Sequence, residues 1–124
     1  PGDAKVWVGK GNVLVDLGGK DQEAIACYDR ALKINPRDAK VWVEKGGALV
    51  GFGRYEEIIA CCDRALEINP RYATAWYGKA FAEDKLNRTQ EAISSYKHFL
   101  RVASERHATL IALARGRLAE LERK

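Results

Sequence analysis

Apolar side chains recur at three- and four-residue steps through most of the chain, which is the period of a helix with one buried face. From Val41 the positions Trp42, Ala48, Leu49 and Phe52 keep that step, with Lys45 on the same face. Gly53-Arg54 interrupts the pattern, and Ile58, Ile59, Cys62, Ala65 and Leu66 resume it as a second helix. Proline has no N–H to donate and pushes the residue before it out of the α region, so "INP" at Ile34–Pro36 and again at Ile68–Pro70 marks the end of a helix. Asp3 and Asp38 then stand where the next helix needs an N-cap. The triplet Val6-Trp7-Val8 has the composition of a strand, but a helical period sustained over dozens of residues outweighs three residues of propensity.

The same letters return along the chain. "DAKVWVGKG" at Asp3 reappears as "DAKVWVEKG" at Asp38 and, altered, as "YATAWYGKA" at Tyr72, so that Trp7, Trp42 and Trp76 are spaced by 35 and 34 residues. Laid over Asp38–Arg71 with one extra residue near Gly19, Asp3–Arg37 matches at 23 of 34 positions. Each copy predicts a pair of helices joined by a short turn.

This pattern resembles the tetratricopeptide repeat family, whose unit is a helix–turn–helix of 34 residues with a tryptophan, small residues and a closing proline at set places. Copy one supplies Trp7, Gly11, Leu14, Ala24, Tyr28, Ala31 and Pro36, and copy two supplies Trp42, Gly46, Leu49, Ile58, Cys62, Ala65 and Pro70. Copy three keeps Trp76, Ala80, Ala92 and Tyr96 but carries Glu83, Phe99 and Ser104 where the pattern differs. The resemblance implies an all-α, right-handed superhelical array of antiparallel helix pairs, an α-solenoid, forming a single domain over 1–124. Its repeats are expected at 3–37, 38–71 and 72–105, with a capping helix over 106–124 rich in arginine and glutamate. Pro1 matches Pro36, which suggests part of a longer array and an uncovered flank on the Trp7 helix, open to self-association.

Composition narrows the chemistry. Of the basic residues 11 fall in 1–71, matched by 11 acidic ones, while 72–124 holds 10 against 6, so the net charge of +4 sits in the last part. Cys27, Cys61 and Cys62 form no disulfide framework or zinc spacing, which fits a reducing, cytoplasmic setting. No apolar run approaches a membrane span. Lys10 precedes Gly11 rather than Ser or Thr, and Gly19-Lys20 has Leu14 and Asp21 at the other key places, so no phosphate loop is signalled. His98 and His107 lack a nucleophile nearby in sequence. No catalytic residue, metal or cofactor is therefore expected. The tryptophans read as core wedges, and the buried thiols as small apolar fillers. Lys10, Lys45 and Lys79 admit two readings: a ladder of charge, or stems that pack while the ammonium groups reach water.

In the family the first helices line a groove, and its positions carry over to Lys5, Val8, Asn12, Val15 and Asp16, then to Lys40, Val43, Gly47, Val50 and Gly51. Later come Thr74, Tyr77, Phe81, Asp84 and Lys85, and on the cap Ala108, Ile111, Arg115, Leu118 and Ala119. An apolar floor of Val8, Val43, Tyr77, Phe81 and Ile111, rimmed by Lys5, Lys40 and Arg115, suits an extended peptide or a helix of a protein partner. Gly47 leaves room for close approach. Some members of the family grip a chaperone's C-terminal carboxylate with lysines, asparagines and an arginine. Here only Asn12 matches that set, with Val8, Glu44, Thr74 and Gly78 in the other places, which argues against such a clamp. The expected function is a non-enzymatic protein-interaction scaffold. The alternatives are an RNA-binding helical-repeat module, suggested by Arg88, Arg101, Arg106, Arg115 and Arg117, or a self-assembling spacer.

Overall fold

The computed structural model describes residues 3–123 and places seven α-helices and no strand over them. Helices α1 (Ala4–Leu17) and α2 (Asp21–Ile34) form the first antiparallel pair, and α3 (Ala39–Leu49) and α4 (Tyr55–Ile68) the second. The third pair is α5 (Ala73–Lys85) and α6 (Thr89–Val102), and α7 (Ala108–Glu122) closes the array alone. Each helix packs on its neighbours in sequence, and the first helices α3 and α5 also meet. This is the solenoid of helix pairs that the repeat predicts.

The connections follow from local chemistry. Asp3 Oδ1 accepts from the Lys5 amide at 2.9 Å and Asp38 Oδ1 from the Val41 amide at 3.4 Å, capping α1 and α3. In each "INPR" segment the asparagine carboxamide oxygen accepts from the arginine amide two residues on, Asn35 from Arg37 at 3.2 Å and Asn69 from Arg71 at 3.1 Å. The tryptophans reach back over these turns. Trp42 Nε1 donates to the Pro36 carbonyl and Trp76 Nε1 to the Pro70 carbonyl, both at 2.9 Å, so each indole both packs and staples the linker. Within the pairs the turns need left-handed backbone, which Gly18, Gly19 and Gly53 adopt without a Cβ penalty and Asn87 supplies in the third pair.

Three apolar clusters run along the array, one per pair. Tyr28, Ala31 and Leu32 bury Val41 and Ala48 of the next unit, and Cys61, Cys62 and Ala65 bury Ala75 and Ala82 in the same way. Phe99 and Tyr96 sit beneath Ala114 and Leu121 of α7. The repeated lysines lie over the tryptophan rings of their own helices, Lys10 with its ammonium group exposed, and the other two make a further contact. Lys45 Nζ bonds Asp29 at 2.7 Å and Lys79 Nζ bonds Asp63 at 2.8 Å, tying each unit to the one before. In the third pair the buried Glu83 replaces a core leucine, and its carboxylate accepts from Ser95 Oγ at 2.6 Å. The histidines are also structural. His98 stacks on Trp76 with ring centroids 4.3 Å apart, and His107 forms a capping box with Ser104.

Candidate functional site

The face on which the first helices meet divides into two hollows of opposite character. Between α1 and α3 lies a polar one of about 630 Å³, where Lys5, Val8 and Asn12 face Lys40 and Glu44. Beside it Tyr28 Oη donates to Asn12 Oδ1 at 2.6 Å. Burial pushes the Tyr28 phenol up to about 12, with Glu44 adding to the shift. The same burial raises Glu44 above the ordinary carboxylate value, against the pull of Lys40. Its Oε1 is buried with no hydrogen-bond partner among the described residues.

Between α3 and α5 the equivalent space is empty and apolar. Repeat spacing sets Asn12, Tyr28 and Glu44 against Gly47, Cys62 and Gly78, so three large polar side chains of the first junction become three small ones in the second. The result is a cavity of about 300 Å³. Its walls are Val43 from α3, Val50 from the turn that follows it, Ile58 from α4, and Tyr77 and Phe81 from α5. Gly78 cannot be enlarged freely, since a Cβ there would lie 3.0 Å from Cys62 Sγ. The aromatic walls are held in place: Phe81 meets Tyr55 edge-on at 6.2 Å, and Tyr77 meets Phe99 at 5.3 Å and Tyr96 at 5.9 Å.

Among the residues singled out from sequence, Lys5, Val8, Asn12 and Lys40 share the first hollow, while Val43, Gly47, Tyr77 and Phe81 share the second. Ile111 and Arg115 line neither. Helix α7 is turned from the register of the earlier first helices, so that Leu110, the counterpart of the tryptophans, reaches the cavity and Ile111 packs on the core beneath it. Arg117 fixes this turn by donating to Asp84 from Nε at 2.6 Å and from Nη2 at 2.9 Å, a paired geometry that also removes Asp84 from the rim. Arg115 stays exposed on α7. Leu110 and Cys62 were not among the expected groove residues. Cys62 was legible, because Tyr28 and Tyr96 flank it at equal spacing; the turn of α7 was not, because it depends on an ion pair between distant helices.

No helix among the described residues is long and apolar enough to cross a membrane. Nor do three metal-ligating side chains converge anywhere among them.

Models of the tetratricopeptide repeat match residues 8–73 and, through a second model, 61–94. The chain belongs to the tetratricopeptide repeat family. Solved structures with the same fold include the first tetratricopeptide domain of Spaghetti (RPAP3) bound to the HSP90 peptide SRMEEVD, with a TM-score of 0.87, 23% identity, and coverage of 98% of this chain and 91% of that one. The Arabidopsis OM64 domain superimposes with a TM-score of 0.85 at 23% identity over 94% of each chain. The first domain of human RPAP3 gives a TM-score of 0.80 at 23% identity, over 98% of this chain and 96% of that one. No curated protein matches the sequence. The all-α array of helix pairs that its sequence implies is the one observed.

Proposed function

We propose that this array is a non-catalytic scaffold that holds an extended segment of a protein partner across its first helices, with one apolar side chain of that segment seated in the cavity between α3 and α5. The observation that carries the proposal is the replacement of Asn12, Tyr28 and Glu44 by Gly47, Cys62 and Gly78, which gives the second junction a hollow with apolar walls from Val43, Tyr77 and Phe81. A cavity whose walls are already packed costs little to organise on binding, so the free energy of burying the anchor is largely retained. The structural neighbour that holds an HSP90 peptide supports peptide binding on this fold. Its mode of capture does not transfer, because Val8, Glu44, Thr74 and Gly78 offer no cationic clamp for a terminal carboxylate.

The test is selection from a phage-displayed peptide library against the parent chain, Cys62→Tyr and Phe81→Glu, with the peptide SRMEEVD titrated separately. Enriched peptides sharing one apolar position and lost on Cys62→Tyr are the expected result, with negligible affinity for SRMEEVD. Enrichment that Cys62→Tyr leaves unchanged would overturn the reading. RNA binding draws less support, since Arg88 and Arg117 of the basic C-terminal part are engaged with Glu56 and Asp84.

A further inference from the structure

Glu83 and Glu44 both draw carboxylate oxygen out of water, but the fold supplies a donor only to the first. Glu83 accepts from Ser95 Oγ at 2.6 Å, whereas Glu44 Oε1 is buried and no donor reaches it among the described residues. A buried acceptor left unpaired costs stability. The array does not need a carboxylate at this place. The counterparts of Glu44 are Gly9 and Gly78, and Gly9 belongs to a copy that matches the second at 23 of 34 positions. Burial raises Glu44 even though Lys40 and Asn12 favour its charged form, so the fold holds the group at a disadvantage. A group kept at such a cost, on the face where the partner segment lies, points to a ligand.

The hollow around it has the matching charge. Asp3, Asp38 and Glu44 line it with three carboxylates against the two ammonium groups of Lys5 and Lys40, an acidic balance in a chain of net charge +4. Asp3 and Asp38 already accept from backbone amides as helix caps, and both lysines are exposed. We infer that the space between α1 and α3 is a second subsite for the partner segment and takes a basic side chain of it, arginine before lysine, whose N–H donates to Glu44 Oε1. The inference rests on the reading of this face as the seat of an extended segment. A guanidinium is more weakly hydrated than an ammonium group and makes a charge-assisted bond to a carboxylate. Packed helices lie about 8–10 Å apart and an extended chain advances about 3.3 Å per residue, so the basic residue falls roughly two to four positions from the apolar anchor between α3 and α5. Here the array brings the carboxylate and the partner brings the cation.

The test is selection of a phage-displayed random-peptide library on the full chain, on Glu44→Gln and on Cys62→Tyr in parallel. Peptides selected by the parent are expected to share an arginine or lysine close to one apolar position. Glu44→Gln should keep the apolar preference and lose the basic one, and Cys62→Tyr should do the reverse. A selected peptide resynthesised with neutral citrulline for its arginine, or norleucine for its lysine, should bind the parent roughly tenfold more weakly and bind Glu44→Gln no differently. An apolar preference with no basic one would overturn the inference and leave the anchor standing. A basic preference lost on Glu44→Gln, with no apolar position shared, would uphold the subsite and overturn the anchor. A basic preference that Glu44→Gln retains, or an equal loss on both chains from the neutral peptide, would overturn the inference, and no enrichment at all would overturn both.

Discussion

Glu83 and Ser95 show how one substitution in a repeat obliges another. The equivalent positions in the second unit are Leu49 and Cys61, both buried and apolar, whereas the third unit buries a carboxylate and gives it a hydroxyl donor. Removing only the donor should be costly: Ser95→Ala is expected to lower stability by about 1–3 kcal/mol in urea denaturation, because a buried acceptor loses its partner. Replacing both, as Glu83→Leu with Ser95→Cys, should restore or exceed the parent's stability, since an apolar pair of suitable volume often matches a buried polar one. Glu44 gives a second prediction, on pH. Burial raises its folded value above the ordinary 4.5, so the folded chain holds a proton where the unfolded chain has released it. The stability tied to Glu44 is therefore complete below that ordinary value and is lost as pH rises through the raised one. Glu44→Gln should match the parent at about pH 4 and become the more stable of the two towards pH 7, as read from urea midpoints. The thiols of Cys61 and Cys62, pushed up to about 11 and about 12 by burial, should react with a disulfide reagent only as fast as the helices open.

Helices in this molecule are specified by different amounts of information. The first six announce themselves through their period, with aspartate caps at α1 and α3 and "INP" stops after α2 and α4, and the structure places helices where those signals stand. Asp38→Ala should cost about 1 kcal/mol by removing the α3 cap, measurable by thermal unfolding. The orientation of α7 is another matter. Its sequence lies in register with the other first helices, yet Leu110 rather than Ile111 meets the cavity, because the Arg117–Asp84 pair and the buried Leu121 set its rotation. Local pattern gives a helix its face, but which way a terminal helix turns is decided by partners with no counterpart in the repeat. Arg117→Ala should accordingly speed amide exchange in α7 while leaving α2 to α4 unchanged.

At the scale of the whole molecule, stability is a sum of unit and junction terms, since each pair touches little beyond its neighbours. Helix α1 has a covered side and an open one, and α4 and α5 lie in the middle. Hydrogen exchange should therefore be slowest in α4 and α5 and fastest at α1. The groove follows the same logic of comparison between units. Its existence was legible in the repeat, since the family's first helices line one face. Its division into a half that carries Lys5, Asn12, Lys40 and Glu44 and a half with apolar walls becomes plain only when the spatial partners Asn12, Tyr28 and Glu44 are set beside Gly47, Cys62 and Gly78.

The Lys45–Asp29 and Lys79–Asp63 bonds give the array a grammar. The first and second units each offer an aspartate forward to the lysine of the unit that follows. At α6 the sign changes: Lys97 occupies the place of Asp29 and Asp63 and bonds Glu122 at 3.2 Å, while α7 carries Leu113 where a lysine stood. The two junctions between full helix pairs thus carry one order of charge, and the junction with α7 carries its reverse.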